Sequence, residues 1–339
     1  MRRYWGLKAI SCKQLLIAIW CAAVIGVVQV QYVGDLTIYA TAIQGKRVVA
    51  HDAILANQPP TGSTWSQIGG NSINVRIVTV IVAEMLSANS PLTLPQAYKL
   101  IDLLGIVGSL LLVFLFVRER AGPQAALIAM LFIGTILPVT FAFHYFHPWD
   151  RVSLFFWVAT IWAIHLNRPA LVVLLVMLGT AIKFDALVLP GLYFLAWISQ
   201  KNWFRVTCIS GIAFSLSLLT IAALIAVQPG GIEDRELIGL IEGNIHELLR
   251  AGISHPFTLI FLPLLLLCAF NIRQADRFDI ASLTFACGLL TVFFTTTHFR
   301  ELRAQMMVAV LLLPLALLNF SRCNRSEAHT NTMRGTDLT

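Results

Sequence analysis

Long apolar runs separated by short polar segments dominate this sequence. Several runs hold almost no charge over about 17 residues, the length with which an α-helix crosses about 30 Å of hydrocarbon. Of the 339 residues, 58% are hydrophobic and 12% are charged, whereas a soluble domain carries about 25% charged residues. We therefore predict an all-α, polytopic membrane protein, with one helical bundle as the simplest domain organisation.

Ten apolar runs are candidate spans, and one further segment is ambiguous. The N-terminal run has a basic start like a signal peptide, but it is long and lacks a small-x-small cleavage site, so we predict an uncleaved first span. The ambiguous segment is 73–88, which carries Arg76 and Glu84 and is short for a full crossing. The candidate spans are 14–32, 98–117, 123–143, 150–166, 169–183, 185–199, 204–227, 256–272, 278–297 and 304–320.

The positions of the basic residues indicate that 73–88 does not cross the membrane. Short cytoplasmic loops are rich in Lys and Arg, and a crossing at 73–88 would place every later basic cluster outside. With 73–88 on the outer surface, both termini are cytoplasmic and ten spans alternate correctly. The cytoplasmic basic residues are then Arg2, Arg3, Lys8, Lys13, Arg118, Arg120, Arg168, Lys201, Arg205, Arg273, Arg277, Arg322, Arg325 and Arg334.

This topology predicts one transmembrane domain, residues 1–320, with two long external loops. The first loop, 33–97, would hold an amphipathic surface helix at 73–88 after an irregular stretch rich in Pro, Gly and Ser. The second loop, 228–255, has apolar residues at helical spacing, which indicates another interfacial helix. The polar tail, 321–339, is predicted to be disordered and cytoplasmic.

Charge and cysteine content exclude several other classes of protein. The net charge of +7 could indicate a nucleic-acid partner, but the basic residues lie at segment ends and do not form a stripe. We therefore expect membrane lipids and no nucleic acid as partners. The six cysteines include no CxxC pair, so neither a zinc site nor a disulfide framework is indicated.

Chemically versatile side chains concentrate at the predicted external ends of the spans. Carboxylates there could serve as bases, and cations could bind a phosphate. The pattern therefore indicates a site at the outer membrane face. Its candidate residues are Asp35, His51, Asp52, His144, His147, Asp150, Arg151, Lys183, Asp185, His298, Arg300, Glu301 and Arg303.

Several of these candidates have an ordinary structural alternative. Asp35 could be a solvated helix cap, and the pair His51 and Asp52 could be solvated in a polar loop. Asp150 and Arg151 could be a simple neighbouring pair. The spacing of these residues does not distinguish the alternatives.

The two histidines of HYFHPWDR and the cations of HFRELR are equally open. His144 and His147 are three residues apart and could share a helix face that binds metal, or they could belong to an interfacial aromatic belt. Arg300 and Arg303 lie about one helical turn apart, which suits a phosphate fork, although HFRELR could also be a short polar turn.

Lys183 and Asp185 favour function more strongly, because they interrupt an otherwise continuous apolar stretch. An ionisable group at membrane depth costs about 2.5 kcal/mol or more and by default marks a pathway or a site. The alternative is that 169–199 is a helical hairpin whose tip just reaches water.

Five stretches resemble the layout and short motifs of one family. They are GDLTIYATAIQG (34–45), the helix 73–88 followed by the span 98–117, WDRVSLFFWVA (149–159), GTAIKFDALVLPGLYFLAW (179–197) and FRELRAQMMVAVLLLPLAL (299–317). From the first span to about residue 318, the chain resembles the GT-C superfamily of integral-membrane glycosyltransferases. These enzymes use polyprenyl-phosphate-linked sugars at the outer membrane face. The chain is also similar to bacterial membrane proteins of polysaccharide gene clusters.

The resemblance implies roles for individual residues. Asp35 takes the position of the catalytic carboxylate, and Asp150 that of a second acidic residue. Lys183 matches the lysine that approaches the lipid phosphate, and Arg300 or Arg303 matches a further phosphate contact. The other candidates of the outer face would orient the acceptor or the sugar, or hold a divalent metal ion.

The sequence also departs from the family pattern. Leu36 stands where many members have a second acidic residue, which puts metal dependence in doubt, and Phe184 replaces a glycine. A soluble C-terminal domain is not seen, so a lipid-linked or polysaccharide acceptor is expected in place of a protein. The expected location is the inner membrane, with a periplasmic or extracellular active face and a role in exopolysaccharide biosynthesis.

The resulting prediction is a glycosyltransferase that moves a sugar from a polyprenyl-phosphate donor to a lipid or glycan acceptor. Two alternatives remain open. One is a transporter or flippase of a lipid-linked or anionic substrate, which buried charges would also fit. The other is a non-catalytic subunit of a polysaccharide assembly complex that kept the fold and lost the activity.

Overall fold

The computed structural model describes residues 12–33, 51–56, 76–138, 149–227, 237–252, 255–296 and 302–318. Every regular element in these ranges is a helix, and none is a strand. The predicted all-α class is therefore confirmed. The long helices are α1 (Cys12–Val27, continued by a π-helical turn Val28–Val33), α2 (Ile77–Asn89), α3 (Leu94–Ala121), α4 (Pro123–Ile136), α5 (Asp150–His165), α6 (Pro169–Ile182), α7 (Leu189–Trp197), α8 (Trp203–Val227), α9 (Leu237–Ala251), α10 (Pro256–Asn271), α11 (Arg277–Thr296) and α12 (Leu302–Ala316).

Among the described residues, five helices are long and apolar enough to cross a membrane. These are Cys12–Val30, Leu94–Ala121, Trp203–Val227, Pro256–Gln274 and Arg277–Thr295. Shorter apolar helices occupy most of the other predicted spans. The membrane character expected from the sequence is supported, whereas the count of ten spans stays a prediction.

Local sequence signals set the ends of α3, which packs against α1, α2, α4, α5 and α12. Thr93 caps its start in a capping box, in which the Thr93 backbone N–H donates to Gln96 Oε1 at 2.8 Å. The helix ends at Gly122, whose φ of 89° suits a residue without a side chain. Pro123 then begins α4, because proline is well placed in the first turn of a helix.

Helix α12 is the centre of the bundle. All its residues from Gln305 to Ala316 are buried, and it packs against α3, α4, α5, α10 and α11. At its end, the Asn271 side chain donates to the backbone oxygen of Leu315 at 2.8 Å and to that of Ala316 at 3.0 Å. This amide therefore satisfies carbonyl groups that a helix end leaves without partners.

One end of the bundle, which we call the Arg120 end, is closed by ion pairs. Arg120 lies 3.0 Å from Asp276 and also pairs with Asp279, at the start of α11. Trp162, near the end of α5, donates to Glu119 at 3.2 Å. The ends of α3 and α5 and the start of α11 therefore meet here.

The opposite end, which we call the Lys183 end, joins the start of α5 to the end of α6. Gly105 of α3 approaches the backbone of Arg151 so closely that a Cβ would lie 2.8 Å from the Arg151 carbonyl carbon. Because α3 touches α5 near residue 151 here and near residue 162 at the Arg120 end, the two helices run in parallel. Helix α6 returns in the opposite direction.

The two predicted spans 169–183 and 185–199 form a shorter hairpin than a pair of full crossings. Helix α6 has 14 residues and α7 has 9, joined by a 3-10 turn at Phe184–Val188. Fourteen helical residues rise about 21 Å, less than the hydrocarbon thickness of about 30 Å. Helix α6 is therefore shorter than a full perpendicular crossing of the hydrocarbon layer.

The predicted first external loop contains more helix than expected. Residues 51–55 are helical, α2 occupies 77–89 and so overlaps most of the predicted 73–88 region, and α3 begins at Leu94. Helix α2 packs against α3, and its exposed side chains include the apolar Ile81, Val82 and Met85 together with Glu84. The amphipathic character of this helix stays a prediction. In the second predicted loop, the expected helix is present as α9 and packs against α11.

Candidate active site at the Lys183 end

A break between two helices positions Lys183. Helix α6 ends at Ile182, and Lys183 adopts an extended conformation with φ −156° and ψ 128°. Pro190 follows as the second residue of α7, and a proline fits the first turn of a new helix but not the interior of a continuous one. The sequence therefore interrupts the apolar stretch at the residue that carries the charge.

Lys183 lies between two carboxylates that come from different elements. Its Nζ is 2.9 Å from Asp185 Oδ2 and 3.5 Å from Asp150 Oδ1. The side chains of Lys183 and Asp150 are only 12% and 8% exposed. Asp185 is further held by Trp157, whose Nε1 donates to Oδ1 at 3.2 Å. The structure therefore brings three of the predicted site residues into one buried cluster.

The depth of this cluster follows from the position of Gly105 along α3. Gly105 contacts Arg151, so Asp150 lies about 16 Å from the start of α3 and about 24 Å from its end, at 1.5 Å per residue. The cluster is therefore level with the interior of α3, which is one of the candidate membrane spans. Both interpretations of Lys183 and Asp185, a site at membrane depth and a hairpin tip that just reaches water, stay predictions.

Arg76 joins this cluster from the start of α2. Its guanidinium carbon lies 5.2 Å from the ring centre of Trp149, which is fully buried. Helix α2 also contacts α6, which ends directly before Lys183. From the sequence, Arg76 served only to place 73–88 relative to the membrane, and it was not predicted as a site residue.

Asp102 is a second residue that the sequence analysis missed. It is 5% exposed and lies one turn before Gly105 on α3. Residues three apart share a helix face, so Asp102 lies on the face of α3 that contacts Arg151, which is itself 3% exposed. The sequence did contain a signal for Asp102, because an acidic residue inside an apolar span is unusual.

His51 is buried, contrary to the alternative that it is solvated in a polar loop. It is 2% exposed, with Nδ1 2.8 Å from the hydroxyl of Tyr98 and Nε2 3.1 Å from Glu84 Oε2. The neighbouring Asp52 is exposed, as that alternative expected. His51 therefore links residues 51–56 to α2 and α3. Its partner Tyr98 lies about two helical turns before Gly105 on α3.

The remaining predicted site residues lie outside the described part of the chain or have no described side chain. Asp35, His144, His147, His298, Arg300 and Glu301 lie outside the described residues, and Arg303 is in the first turn of α12 without a described side chain. The expectation that Asp35 faces Asp150 stays a prediction. In the part of the chain that is described, no group of three or more His, Cys, Asp or Glu residues is arranged to hold a metal ion.

Comparison with protein-family models, with curated proteins and with solved structures finds no match for this chain. The function proposed below is therefore inferred from the residues of this chain and from their geometry.

Proposed function

We propose that the chain is a membrane glycosyltransferase of the GT-C type. It would move a sugar from a polyprenyl-phosphate donor to a lipid-linked or polysaccharide acceptor at the outer membrane face. The observation that carries this proposal is the largely buried cluster of Asp150, Lys183 and Asp185 at one end of the bundle. A buried cation next to carboxylates is what a phosphate leaving group and an acceptor hydroxyl need from an enzyme.

Ten spans with both termini cytoplasmic belong to the same proposal. Support comes from the directions of the helices: α3, α5, α7, α10 and α12 run toward the Arg120 end, and the other long bundle helices α1, α4, α6, α8 and α11 run back. The Arg120 end carries Arg118 and Arg120 and would be cytoplasmic. The Lys183 end would then be the outer one.

The reaction would be a single displacement at the anomeric carbon of the sugar. Asp35 would take the proton of the acceptor hydroxyl, whose oxygen forms the new bond to the anomeric carbon. The bond from that carbon to the phosphate oxygen breaks, and its electrons leave with the polyprenyl monophosphate. Lys183 would stabilise the charge that develops on this leaving group, an effect that grows in a site of low dielectric.

Asp150 has a supporting role in this scheme. Its carboxylate lies 3.5 Å from Lys183 Nζ, so it would hold the ammonium group in position and keep it charged. His144, His147 and Arg151 would orient the sugar and the acceptor, and Arg300 or Arg303 would be a further contact of the phosphate. A divalent ion at the outer face remains part of the proposal.

The test is a donor-cleavage assay with the purified chain in nanodiscs. A panel of polyprenyl-phosphate sugars is supplied with glycan acceptors, and release of polyprenyl monophosphate is measured. Lys183→Ala should lower kcat/KM about 100-fold, the usual effect of removing one charge-stabilising group. The exposed Arg205→Ala, at the start of α8, is the control and should have no effect.

A transporter is the second candidate, because a helix broken at a charged residue is typical of substrate sites in transporters. The Arg120 end argues against it, since ion pairs and the buried α12 close that end. Proteoliposomes distinguish the candidates. Movement of a lipid-linked substrate between leaflets without donor cleavage would favour the transporter, and donor binding with neither activity would favour a non-catalytic subunit.

A further inference from the structure

We infer that the N-terminus of α2, together with Arg76, Thr79 and Lys183, forms the binding site for a phosphate group carried on a lipid. This inference deepens the proposed function and rests on it, because the phosphate would be that of the polyprenyl donor. It adds Arg76 and Thr79 to the site and assigns a role to the helix that precedes α3.

One buried apolar cluster joins the start of α2 to the end of α6. Ile77, the first residue of α2, and Ile182, the last of α6, belong to this cluster with Val80 and Trp149. Arg76 immediately precedes Ile77, and Lys183 immediately follows Ile182. Because α2 and α6 are in contact, this arrangement brings Arg76 near Lys183.

The two carboxylates beside Lys183 explain why a phosphate would need a second cation in this site. Its ammonium group already faces Asp185 at 2.9 Å and Asp150 at 3.5 Å. A phosphate that approached Lys183 alone would meet a cation with two carboxylates beside it. Arg76 adds a second positive charge, and a guanidinium suits the planar, bidentate recognition of phosphate oxygens.

The start of α2 adds further positive potential. The first turn of a helix has backbone N–H groups without partners inside the helix, and its dipole places about half a positive charge there. Arg76 occupies the N-cap position and makes no side-chain cap, because a guanidinium has no acceptor atom. An anion is the ligand that such a helix end favours.

Thr79 is the independent observation that points to a ligand. It is the third residue of α2 and 2% exposed, and among the described residues its hydroxyl has no hydrogen-bond partner. Thr79 comes three residues after Arg76, and residues at this spacing share a helix face, so both belong to the same side of the start of α2. A buried hydroxyl without a partner is costly, and a phosphate oxygen would accept its hydrogen bond.

Trp149 keeps the Arg76 side chain in place. The guanidinium lies over the indole ring at 5.2 Å, and the ring is fully buried. This stacking orders a long side chain before any ligand arrives, which lowers the entropic cost of binding. Trp149 also directly precedes Asp150, so the proposed phosphate site and the carboxylate of the cluster share one short segment.

The experiment measures binding of polyprenyl monophosphate to the full chain in nanodiscs. This lipid is the common product of all polyprenyl-phosphate donors, so neither the sugar nor the acceptor has to be known. Polyprenol, phosphatidylglycerol and inorganic phosphate are tested in parallel. Polyprenol tests binding of the lipid chain alone, and phosphatidylglycerol tests binding of a phosphodiester headgroup. Inorganic phosphate tests binding of the phosphate without a lipid.

Arg76→Ala should weaken binding of polyprenyl monophosphate by about 10-fold or more, the effect of losing one hydrogen bond to a charged group. Thr79→Val keeps the shape of the side chain and should weaken binding about 10-fold, because it removes a hydrogen bond to the charged phosphate. Arg76→Lys, which keeps the charge, should lose less than Arg76→Ala and shows whether the alanine variant simply misfolds. The matched controls, which should bind normally, are the exposed Arg205→Ala and Thr220→Val, whose hydroxyl donates to Leu216.

The outcomes separate the inference from the proposed function. If polyprenyl monophosphate binds equally well to the wild type, Arg76→Ala and Thr79→Val, the inference is wrong while the donor proposal stands. If phosphatidylglycerol or inorganic phosphate binds with the same dependence on Arg76 and Thr79 and polyprenyl monophosphate does not, the anion site stands and the proposed function fails. If polyprenol binds as tightly as its phosphate, both fail.

Discussion

Lys183 and Asp150 meet where α6 ends and α5 begins, with 3.5 Å between the ammonium nitrogen and Oδ1 of the carboxylate. Both side chains are buried, so each is the other's partner in a region of low dielectric. Removing one member of a buried ion pair leaves an uncompensated charge.

We expect Lys183→Met to destabilise the chain by about 3 kcal/mol, because it leaves Asp150 and Asp185 without their shared cation. Asp150→Asn in the Lys183→Met background should recover part of that loss. Thermal unfolding in detergent of the two single variants and the double variant measures the coupling. Additive effects of the two substitutions would contradict a direct interaction.

Asp35→Asn should lower the rate of sugar transfer about 100-fold or more, the usual contribution of a general base. Binding of polyprenyl monophosphate should be unchanged, because the amide has the same size and the phosphate contacts remain. Single-turnover kinetics separates the two readouts. Full activity of the Asn variant would remove Asp35 from the mechanism.

Gly105→Ala should destabilise the chain by about 1–3 kcal/mol, the cost of overpacking a close contact. A Cβ at this position would lie 2.8 Å from the carbonyl carbon of Arg151, so α5 would have to move away from α3. Gly211→Ala is the matched control, because a Cβ there meets no atom within 4 Å. That variant should be neutral or slightly more stable, since alanine favours the helix. Equal thermal stability of the two variants would contradict the close packing of α3 and α5.

His51→Leu should loosen the segment 51–56. It removes the contacts to Tyr98 and Glu84 and leaves the buried Tyr98 hydroxyl without this partner, at a cost of about 1–3 kcal/mol. Hydrogen exchange should increase in 51–56 and stay unchanged around Arg120. Asp52→Asn, at an exposed neighbouring position, is the control and should not alter exchange.

The Arg120 end should show a dependence of stability on acid pH. Burial by itself would raise the pKa of the Asp276 carboxyl, but the Arg120 guanidinium and hydrogen bonds hold that pKa below its ordinary value of 3.8. Because the folded pKa is the lower one, the stabilisation is present above pH 3.8 and is lost as the pH falls through the folded pKa. Asp276→Asn should flatten this part of the curve of thermal stability against pH. Its effect should be small, since the Asp276 side chain is 50% exposed.

Much of the helical layout could be predicted because its signals are local. The Gly122–Pro123 break, the capping box at Thr93 and the apolar run of α3 all act within a few residues. The predicted spans 169–183 and 185–199 correspond to α6 and α7, but hydropathy does not reveal how far such short helices reach across the membrane. Arg76 and Asp102 were missed as site residues for a related reason, since their surroundings are set by residues far away in the chain.

The sequence by itself determined that this is an all-α chain with membrane-spanning character, and it pointed to Lys183, Asp185 and Asp150 as exceptional residues. Only the tertiary structure decided that these three share one cluster, that Arg76 lies beside them and that His51 is buried. The physical reason is that a charged side chain acquires its partners from whichever helices enclose it. Here the contact of α2 with α6 and the close approach of Gly105 to Arg151 determine those partners.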